Sequence, residues 1–281
     1  MKVFVPLVLS AYLSFFVGIA SEEPEPLKYG LYAKKEGVLP IEKVEIFGER
    51  CSGTNYLLAL TQENFALSSK KWVWDFGWKH FPVWIDGGAW FDPILTQRGG
   101  SPFTNLPNEN YLFIVIFRNP YDWLHSFFET PHHAHESFKK KTIRNFSRFI
   151  REPWVAEEKW QWIDSNPSDG SHFKNVIQLR TAKIKNMLKI ADHVHNIYYV
   201  NYETLKNFPI DVMMEIATYF DLFCKTFTDV KEICQPGGKR KGVFVPKVYP
   251  SLKINDLLYI NSQLDEELEQ SIGYQLIMQE V

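Results

Sequence analysis

An uninterrupted apolar run at residues 111–117, YLFIVIF, constrains the fold of this chain more than any other feature of its sequence. Seven consecutive apolar or aromatic residues without polar alternation are typical of a strand buried on both faces, as in a parallel sheet covered by helices. The sequence RNP follows at 118–120 and ends the run, because proline has no N–H for a strand ladder. We therefore predict a central parallel strand at 111–117 and a helix from about Tyr121 to Phe128.

The rest of the chain alternates short strands with helices. The predicted strands are rich in β-branched and aromatic residues, and the predicted helices carry apolar residues at helical spacing. Strands are predicted at 43–47, at 196–202 and near the start of the tryptophan-rich stretch 72–90, and helices at 54–65, 138–162, 177–188 and 210–222. This alternation predicts an α/β domain of three layers, αβα, with a central and mainly parallel sheet.

Composition limits the classes of ligand. The 281 residues include 31 Lys and Arg against 33 Asp and Glu, a formal net charge of −2, and 45% are hydrophobic. A charge so close to zero excludes a protein that coats nucleic acid or membrane along its whole surface. An anionic ligand must therefore be bound by a local cluster of basic residues, and no nucleic-acid partner is predicted.

The N-terminus is predicted to be a targeting signal or a membrane anchor. Lys2 precedes an apolar run at 3–20, which ends with the small residues Gly18 and Ala20 before the acidic SEEPEP. A cleaved signal peptide is the first prediction, and a signal-anchor that holds residues 3–20 in a membrane or a buried N-terminal helix are the alternatives. The prediction implies the secretory pathway or secretion. The predicted division is a leader at 1–20, a polar lead-in segment at 21–42 and one domain at 43–281.

Three cysteines do not make a disulfide framework, since one must be left over. Cys224 and Cys234 are predicted either to pair across a short loop or to remain as two half-buried thiols.

The stretch IFGERCSGTNYL at 46–57 places a glycine turn between a strand and a helix. Gly48 and Gly53 bound the turn, so consecutive backbone N–H groups and the helix N-terminus can converge on an anion. The phosphate loop of nucleoside triphosphatases adds a lysine and a hydroxyl after the second glycine, where this chain has Thr54 and Asn55. The turn therefore predicts a phosphate or sulfate site that works without magnesium, with a tight structural turn as the alternative.

A second candidate anion site follows the strongest strand, in RNPYDWLHS at 118–126. Arg118 lies at the carboxyl end of that strand and Ser126 about two turns into the next helix, at the edge where open α/β sheets bind ligands. An arginine fork and a hydroxyl suit a phosphate monoester. The alternative is that Arg118 caps a helix or pairs with Asp122.

These two stretches, in this order, resemble the sulfotransferases that use 3′-phosphoadenosine 5′-phosphosulfate (PAPS). RCSGTNYL is similar to the 5′-phosphosulfate loop of that family, and RNPYDWLHS to its 3′-phosphate motif. The resemblance implies that Arg118 and Ser126 bind the 3′-phosphate. It assigns the 5′-phosphosulfate to Arg50, Cys51, Ser52, Gly53, Thr54 and Asn55.

Three further stretches extend the resemblance over about residues 43–245. WKHFP at 78–82 is similar to the family stretch that contains the general base, which nominates His80 for that role and Lys79 beside it as a catalytic cation. YVNYETLKNFP at 199–209 implies that Tyr202 lies near the adenine. KRKG implies that the 3′-phosphate pocket is completed by Lys239, Arg240, Lys241 and Gly242.

The chain departs from the family pattern at Cys51, where a lysine or arginine usually precedes S-G-T. Either Arg50 or Lys79 must then supply the positive charge that stabilises the departing phosphate. The resemblance implies transfer of a sulfuryl group from PAPS to a hydroxyl, without a metal. Because lumenal members of the family modify glycans or secreted proteins, the leader together with the resemblance predicts a glycan acceptor and the Golgi lumen or membrane as destination. The alternatives are a non-catalytic protein of this fold that binds nucleotides or glycans, and a small-molecule kinase, which Thr54 in place of lysine argues against.

Residues on the acceptor side are less specific. Trp84 and Trp90 are candidates for lining an acceptor groove. His132, His133 and His135 are predicted to be exposed histidines rather than zinc ligands, because neighbouring histidines in one loop seldom converge tetrahedrally.

Overall fold

The computed structural model describes residues 26–67, 76–82, 84–85, 107–224, 226–234 and 241–278, with the backbone only for Gly77, Trp78, Phe81, Pro82, Trp162, Cys234 and Lys241. The predicted leader at 1–20, as well as Trp90, Lys239 and Arg240, lies outside the described residues. Within those ranges, no helix is both long enough and apolar enough to cross a membrane.

One four-stranded sheet organises the domain. Its spatial order is β1-β6-β5-β2, with β2, β5 and β6 parallel and β1 antiparallel to β6. The remaining strands form two short hairpins, β3 with β4 and β7 with β8. The strands are β1 (Tyr32–Lys35), β2 (Lys43–Gly48), β3 (Gly77–Trp78), β4 (Phe81–Pro82), β5 (Tyr111–Phe117), β6 (Asn196–Asn201), β7 (Glu232–Cys234) and β8 (Lys241–Val243).

Helices connect and cover these strands. They are α1 (Thr54–Asn64), α2 (Pro120–Glu129), α3 (Glu136–Thr142), α4 (Phe146–Phe149), α5 (Gln161–Asp164), α6 (Val176–Leu188), α7 (Tyr202–Asn207), α8 (Pro209–Phe220), α9 (Ile254–Gln263) and α10 (Glu266–Ser271). Short 3-10 helices occur at Glu158–Trp160 and Lys189–Asp192.

Strand β5 shows why the domain has three layers. All seven of its residues are buried, and alternate side chains enter different clusters because successive side chains of a strand point to opposite faces. Ile114 belongs to the cluster that contains Leu57 of α1 and Met213 of α8. Phe113 belongs to the cluster on the other face, with Ile184 of α6. The predicted three-layer α/β architecture with a mainly parallel sheet is confirmed.

Two regions differ from the sequence prediction. Strand β1 lies in the segment predicted only as a polar lead-in, where Tyr32–Lys35 pairs with β6 through its backbone rather than through an apolar face. The predicted helix 138–162 is broken into short helices α3, α4 and α5. One cause is local: Arg144 has a left-handed φ of 55°, and the side chain of Asn145 then starts a new helix by accepting from the Arg148 N–H.

Candidate functional site

The glycine turn joins β2 to α1 with an unusual backbone. Cys51 has φ 63° and Gly53 has φ 97°, both in the left-handed region. A Cβ at Gly53 would overlap the Tyr202 ring, so the position requires glycine for its conformation and for its close approach. No described side chain caps the N-terminus of α1. The turn therefore has the backbone form of an anion-binding concavity that ends at a helix N-terminus.

Arg118 lies beside this turn. Its Nη1 donates to the backbone C=O of Cys51 at 2.7 Å, so the two predicted anion sites are neighbours at the same edge of the sheet. The side chain is 6% exposed, and its Nε is buried without a hydrogen-bond partner among the described residues. Among the described residues, Arg118 forms no ion pair with a carboxylate. This excludes the predicted alternative of a pair with Asp122.

Two tyrosine rings lie close to the Arg118 guanidinium. Its Cζ is 4.5 Å from the centroid of the Tyr202 ring and 5.6 Å from that of Tyr249. The Tyr249 hydroxyl is 3.5 Å from Nη2, a long distance for a hydrogen bond. Tyr249 in turn stacks on His125 at 5.4 Å, and His125 on Phe146 at 4.5 Å. The rings fix the plane of the guanidinium and leave its charge unneutralised.

Ser126 lies on α2 within contact of the turn. Its backbone C=O is 3.8 Å from the Cys51 Sγ, and its side chain is half-buried. The structure thus brings Arg118, Ser126 and the turn together, as the two sequence patterns predicted.

The hairpin β3–β4 lies against the other side of the turn. The N–H of Gly48 donates to the Lys79 C=O at 2.9 Å, and the His80 Nδ1 is 3.1 Å from the Gly48 C=O. The Lys79 ammonium donates to the side-chain oxygen of Asn55, the second residue of α1. The predicted catalytic pair Lys79 and His80 is therefore attached to both ends of the turn.

These contacts define the protonation of His80. Burial, followed by the positive charges of Lys79 and Arg50, lowers the pKa of His80 well below its ordinary value of 6.5. The imidazole is thus neutral at pH 7. Because a carbonyl only accepts, the Nδ1 near Gly48 carries the proton and Nε2 is the accepting nitrogen.

Arg50, within the turn, pairs with an acid. Its guanidinium makes a two-point contact with Asp164, at 3.1 Å from Nη1 to Oδ1 and 2.8 Å from Nη2 to Oδ2. Asp164 also accepts from Lys183 at 2.5 Å and from the Trp154 indole at 3.1 Å. Burial opposes ionisation of Asp164, but the Arg50 and Lys183 charges outweigh it and lower its pKa. Arg50 is therefore neutralised within the protein, and its predicted role toward the donor stays a prediction.

Cys51 is a half-buried, uncharged thiol. Burial raises its pKa to about 11, although Arg118 and Arg50 act in the opposite direction. At neutral pH the residue supplies neither a positive charge nor a thiolate. Cys224 is also a free thiol, whose Sγ lies 3.3 Å from the Thr226 C=O, so the predicted alternative of a pair with Cys234 is not formed.

The segment 241–250 crosses the site from α1 to α2. Phe244 stacks on Tyr56 of α1 with centroids 4.2 Å apart, and Lys247 forms an ion pair with Glu129 of α2. Gly242 lies in β8, paired with Ile233. The segment brings Tyr249 to Arg118, whereas the predicted roles of Lys239, Arg240 and Lys241 stay predictions.

A cleft of about 550 Å³ lies on the flank of α6, and its lining includes none of the residues of the turn or of Arg118, Ser126, Lys79 and His80. Its lining mixes aromatic side chains with amides and includes Trp84, Phe173, Gln178 and Gln263. Trp84 follows His80 by four residues in the sequence. The predicted acceptor residue Trp84 therefore does line a cleft.

The three clustered histidines are separated by their local contacts. His135 caps α3 by accepting from the Ser137 N–H, while the rings of His132 and His133 lie 6.2 Å apart. In the described ranges, no group of three or more His, Cys, Asp and Glu side chains has the arrangement of a metal site.

Sequence reasoning missed Tyr249 and the charged residues behind the turn. The basic residues Arg180 and Lys183 fall on the buried face of α6, with Ile177, Ile184 and Met187. Charged residues at apolar helix positions are the signal that could have found them, because such charges are rarely buried without partners.

The similarity of this chain to known proteins is one of structure and not of sequence. No protein-family model matches the sequence, and no curated protein sequence matches it. A solved structure, a sulfotransferase from Alicyclobacillus acidocaldarius, is similar with a TM-score of 0.41 and 13% sequence identity, over 85% of this chain and 98% of that chain.

Proposed function

We propose that this protein is a sulfotransferase that moves a sulfuryl group from PAPS to a hydroxyl of a glycan in the secretory pathway. The observation that carries the proposal is the state of Arg118. A guanidinium that is 6% exposed, close to two tyrosine rings and without a carboxylate partner in the described ranges lacks the counter-charge that a buried cation requires. A phosphate group supplies that charge and the matching acceptors.

The neighbouring turn supports a second anionic group on the same ligand. It offers backbone N–H groups at the uncapped start of α1, next to the Cys51 carbonyl that Arg118 contacts. A donor with phosphate groups at both ends of an adenosine matches two adjacent anion sites. The Tyr202 ring, beside Arg118 and Gly53, offers an aromatic surface between them.

His80 is the proposed general base. Its Nε2 can accept the proton of the attacking hydroxyl, and its Nδ1 is held by the Gly48 carbonyl. A bound anionic donor would raise its lowered pKa back toward neutrality, since negative charges favour the imidazolium. Lys79 of the β3–β4 hairpin, whose ammonium contacts Asn55 in the first turn of α1, is the proposed cation for the charge that develops on the departing phosphate.

The glycan acceptor is the least direct part of the proposal. It is supported by the apolar leader in the sequence and by the cleft beside α6, whose mixture of aromatic rings and amides suits a polyhydroxylated chain.

The nucleotide is tested by calorimetry. We expect adenosine 3′,5′-bisphosphate to bind without a metal and ATP with magnesium to bind weakly. The reverse preference would favour a kinase and overturn the proposal. Transfer of labelled sulfate from PAPS to a panel of glycans, proteins and steroids then tests the activity and identifies the acceptor class.

The base is tested by His80→Ala. We expect the transfer rate to fall by roughly 100- to 10,000-fold, which is the usual contribution of a general base, while the affinity for adenosine 3′,5′-bisphosphate is nearly unchanged. The exposed His172 provides a matched control, and His172→Ala should transfer at the normal rate. Loss of nucleotide binding in His80→Ala would show that His80 has a different role.

A second candidate is a non-catalytic protein that binds the same nucleotide. It is favoured by the uncharged Cys51 in the place of a basic residue and by the pairing of Arg50 with Asp164. Binding of the bisphosphate with no transfer to any acceptor would support this candidate.

A further inference from the structure

Arg180 of α6 connects the two halves of the proposed donor site from behind. Its Nη2 donates to the backbone C=O of Arg118 at 2.8 Å, directly after β5. Its Nη1 contacts the Glu49 carboxylate at 2.5 Å, directly after β2. A two-point contact with Glu269 of α10, at 2.8 Å for each bond, holds the guanidinium in place. The planar Arg180 guanidinium thus joins Glu49, at the start of the turn, to the backbone of Arg118.

The surroundings make this connection rigid. The Arg180 side chain is fully buried, and its Cζ lies 5.2 Å from the centroid of the Trp123 ring. The Trp123 indole N–H donates to the Arg50 C=O at 2.7 Å, so the ring that packs on Arg180 also holds the turn. A buried guanidinium with fixed partners has little freedom to reorient.

The connection also belongs to a cluster of buried ionisable groups. Six of its members are each at most 4% exposed, three of them basic and three acidic. The cations are Arg50, Arg180 and Lys183, and the anions are Glu49, Asp164 and Glu269. Because Arg180 is itself paired with Glu49 and Glu269, its role toward a ligand is one of position rather than of charge.

We propose that Arg180 is a positioning residue: it fixes the separation between Arg118 and the glycine turn, and thereby selects a nucleotide with phosphate groups at both ends. This inference rests on the proposed function. A ligand that spans two fixed sites gains affinity because its second group binds intramolecularly, and that gain is lost when the spacing of the sites is no longer defined.

The test compares three probes by calorimetry: adenosine 3′,5′-bisphosphate, adenosine 5′-monophosphate and adenosine 3′-monophosphate. In the unchanged protein we expect the bisphosphate to bind on the order of 100-fold tighter than either monophosphate. In Arg180→Lys this advantage should fall about 10-fold while each monophosphate binds within about 3-fold of normal, because lysine keeps the charge but cannot hold the fork of contacts.

Other outcomes separate the inference from its alternatives. An undiminished advantage in Arg180→Lys, or an equal loss for all three probes, would show that Arg180 supports the fold and not the spacing. Failure of the unchanged protein to bind the bisphosphate would instead overturn the proposed function. Where Arg180→Lys does not fold, the double variant R180Q/E269Q removes the uncompensated Glu269 charge and takes its place. Lys185→Gln, an exposed position on the same helix, is the control that should leave all three affinities unchanged.

Discussion

Arg50 and Arg118 follow neighbouring parallel strands, and both are buried, yet their environments are opposite. Arg50 is 3% exposed and makes a two-point ion pair with Asp164, which Lys183 shares. Arg118 is 6% exposed and meets carbonyl oxygen and aromatic rings, with no acid among the described residues. The protein therefore neutralises one of these arginines itself and leaves the other for a ligand.

The difference teaches which arginine stabilises the fold and which serves binding. A buried ion pair contributes little net stability, but breaking it by removing one partner is costly because a charge is left without compensation. Arg118 is already buried without a compensating acid in the free protein, so its folded state already includes that unfavourable free energy. A bound anion reduces it. Breaking the Arg50 pair should accordingly lower the free energy of unfolding, whereas substitution of Arg118 should lower the affinity for the nucleotide.

The largest expected effect is on the acid that neutralises Arg50. Asp164→Ala leaves Arg50 and Lys183 buried without their shared counter-charge, so we expect the free energy of unfolding to fall by about 3–5 kcal/mol. Denaturant unfolding measures it. Glu152→Ala, which removes a partly exposed partner of Arg148, should cost less than about 1 kcal/mol. Equal losses in the two variants would contradict the assignment of a structural role to the Arg50 pair.

Arg118→Gln should show the opposite behaviour. We expect the affinity for adenosine 3′,5′-bisphosphate to fall about 100-fold, because a charge-assisted bond to phosphate is lost, while the stability of the free protein stays the same or rises. Calorimetry and denaturant unfolding provide the two numbers. Arg151→Gln is a matched control, since Arg151 also lies over a tyrosine ring, at 4.3 Å from Tyr259, but is already paired with Asp256. A large loss of stability in Arg118→Gln without loss of affinity would reverse the comparison.

The sequence predicts one member of this comparison much better than the other. The all-apolar β5 ending in RNP indicates where Arg118 lies, and parallel strands bring that position next to the turn after β2. The partner of Arg50 follows it by 114 residues, just beyond the end of the helix predicted at 138–162, a region that is found as several short helices. Only tertiary packing brings Asp164 to Arg50, so local patterns contain no information on the pair.

Similar reasons explain what else was missed. Strand β1 is specified by backbone pairing with β6, and its mixed sequence YAKK has no apolar alternation to indicate a strand. Tyr249 reaches Arg118 through an irregular segment, which follows no periodicity. The left-handed conformation of Gly53 is one that a glycine in the turn between β2 and α1 can indicate from sequence, because few other residues adopt it readily.

The smallest expected effect concerns Glu49, the residue next to Arg50 in the same cluster. Burial raises its pKa to about 7, because the attraction of Arg180 only partly offsets the loss of solvent and Glu269 adds a second negative charge. A carboxyl whose pKa is higher in the folded state stabilises the fold below its unfolded pKa, and this contribution is lost as the pH rises through about 7. Between pH 5 and pH 8, the unfolding free energy of the unchanged protein should therefore fall relative to that of Glu49→Gln by on the order of 1–3 kcal/mol.

Glu152→Gln is the control of opposite sign, since its Arg148 partner lowers the pKa of Glu152 and its contribution is lost only at lower pH. A difference that is flat or rises with pH for Glu49 would mean that Arg180 keeps the carboxylate charged throughout this pH range.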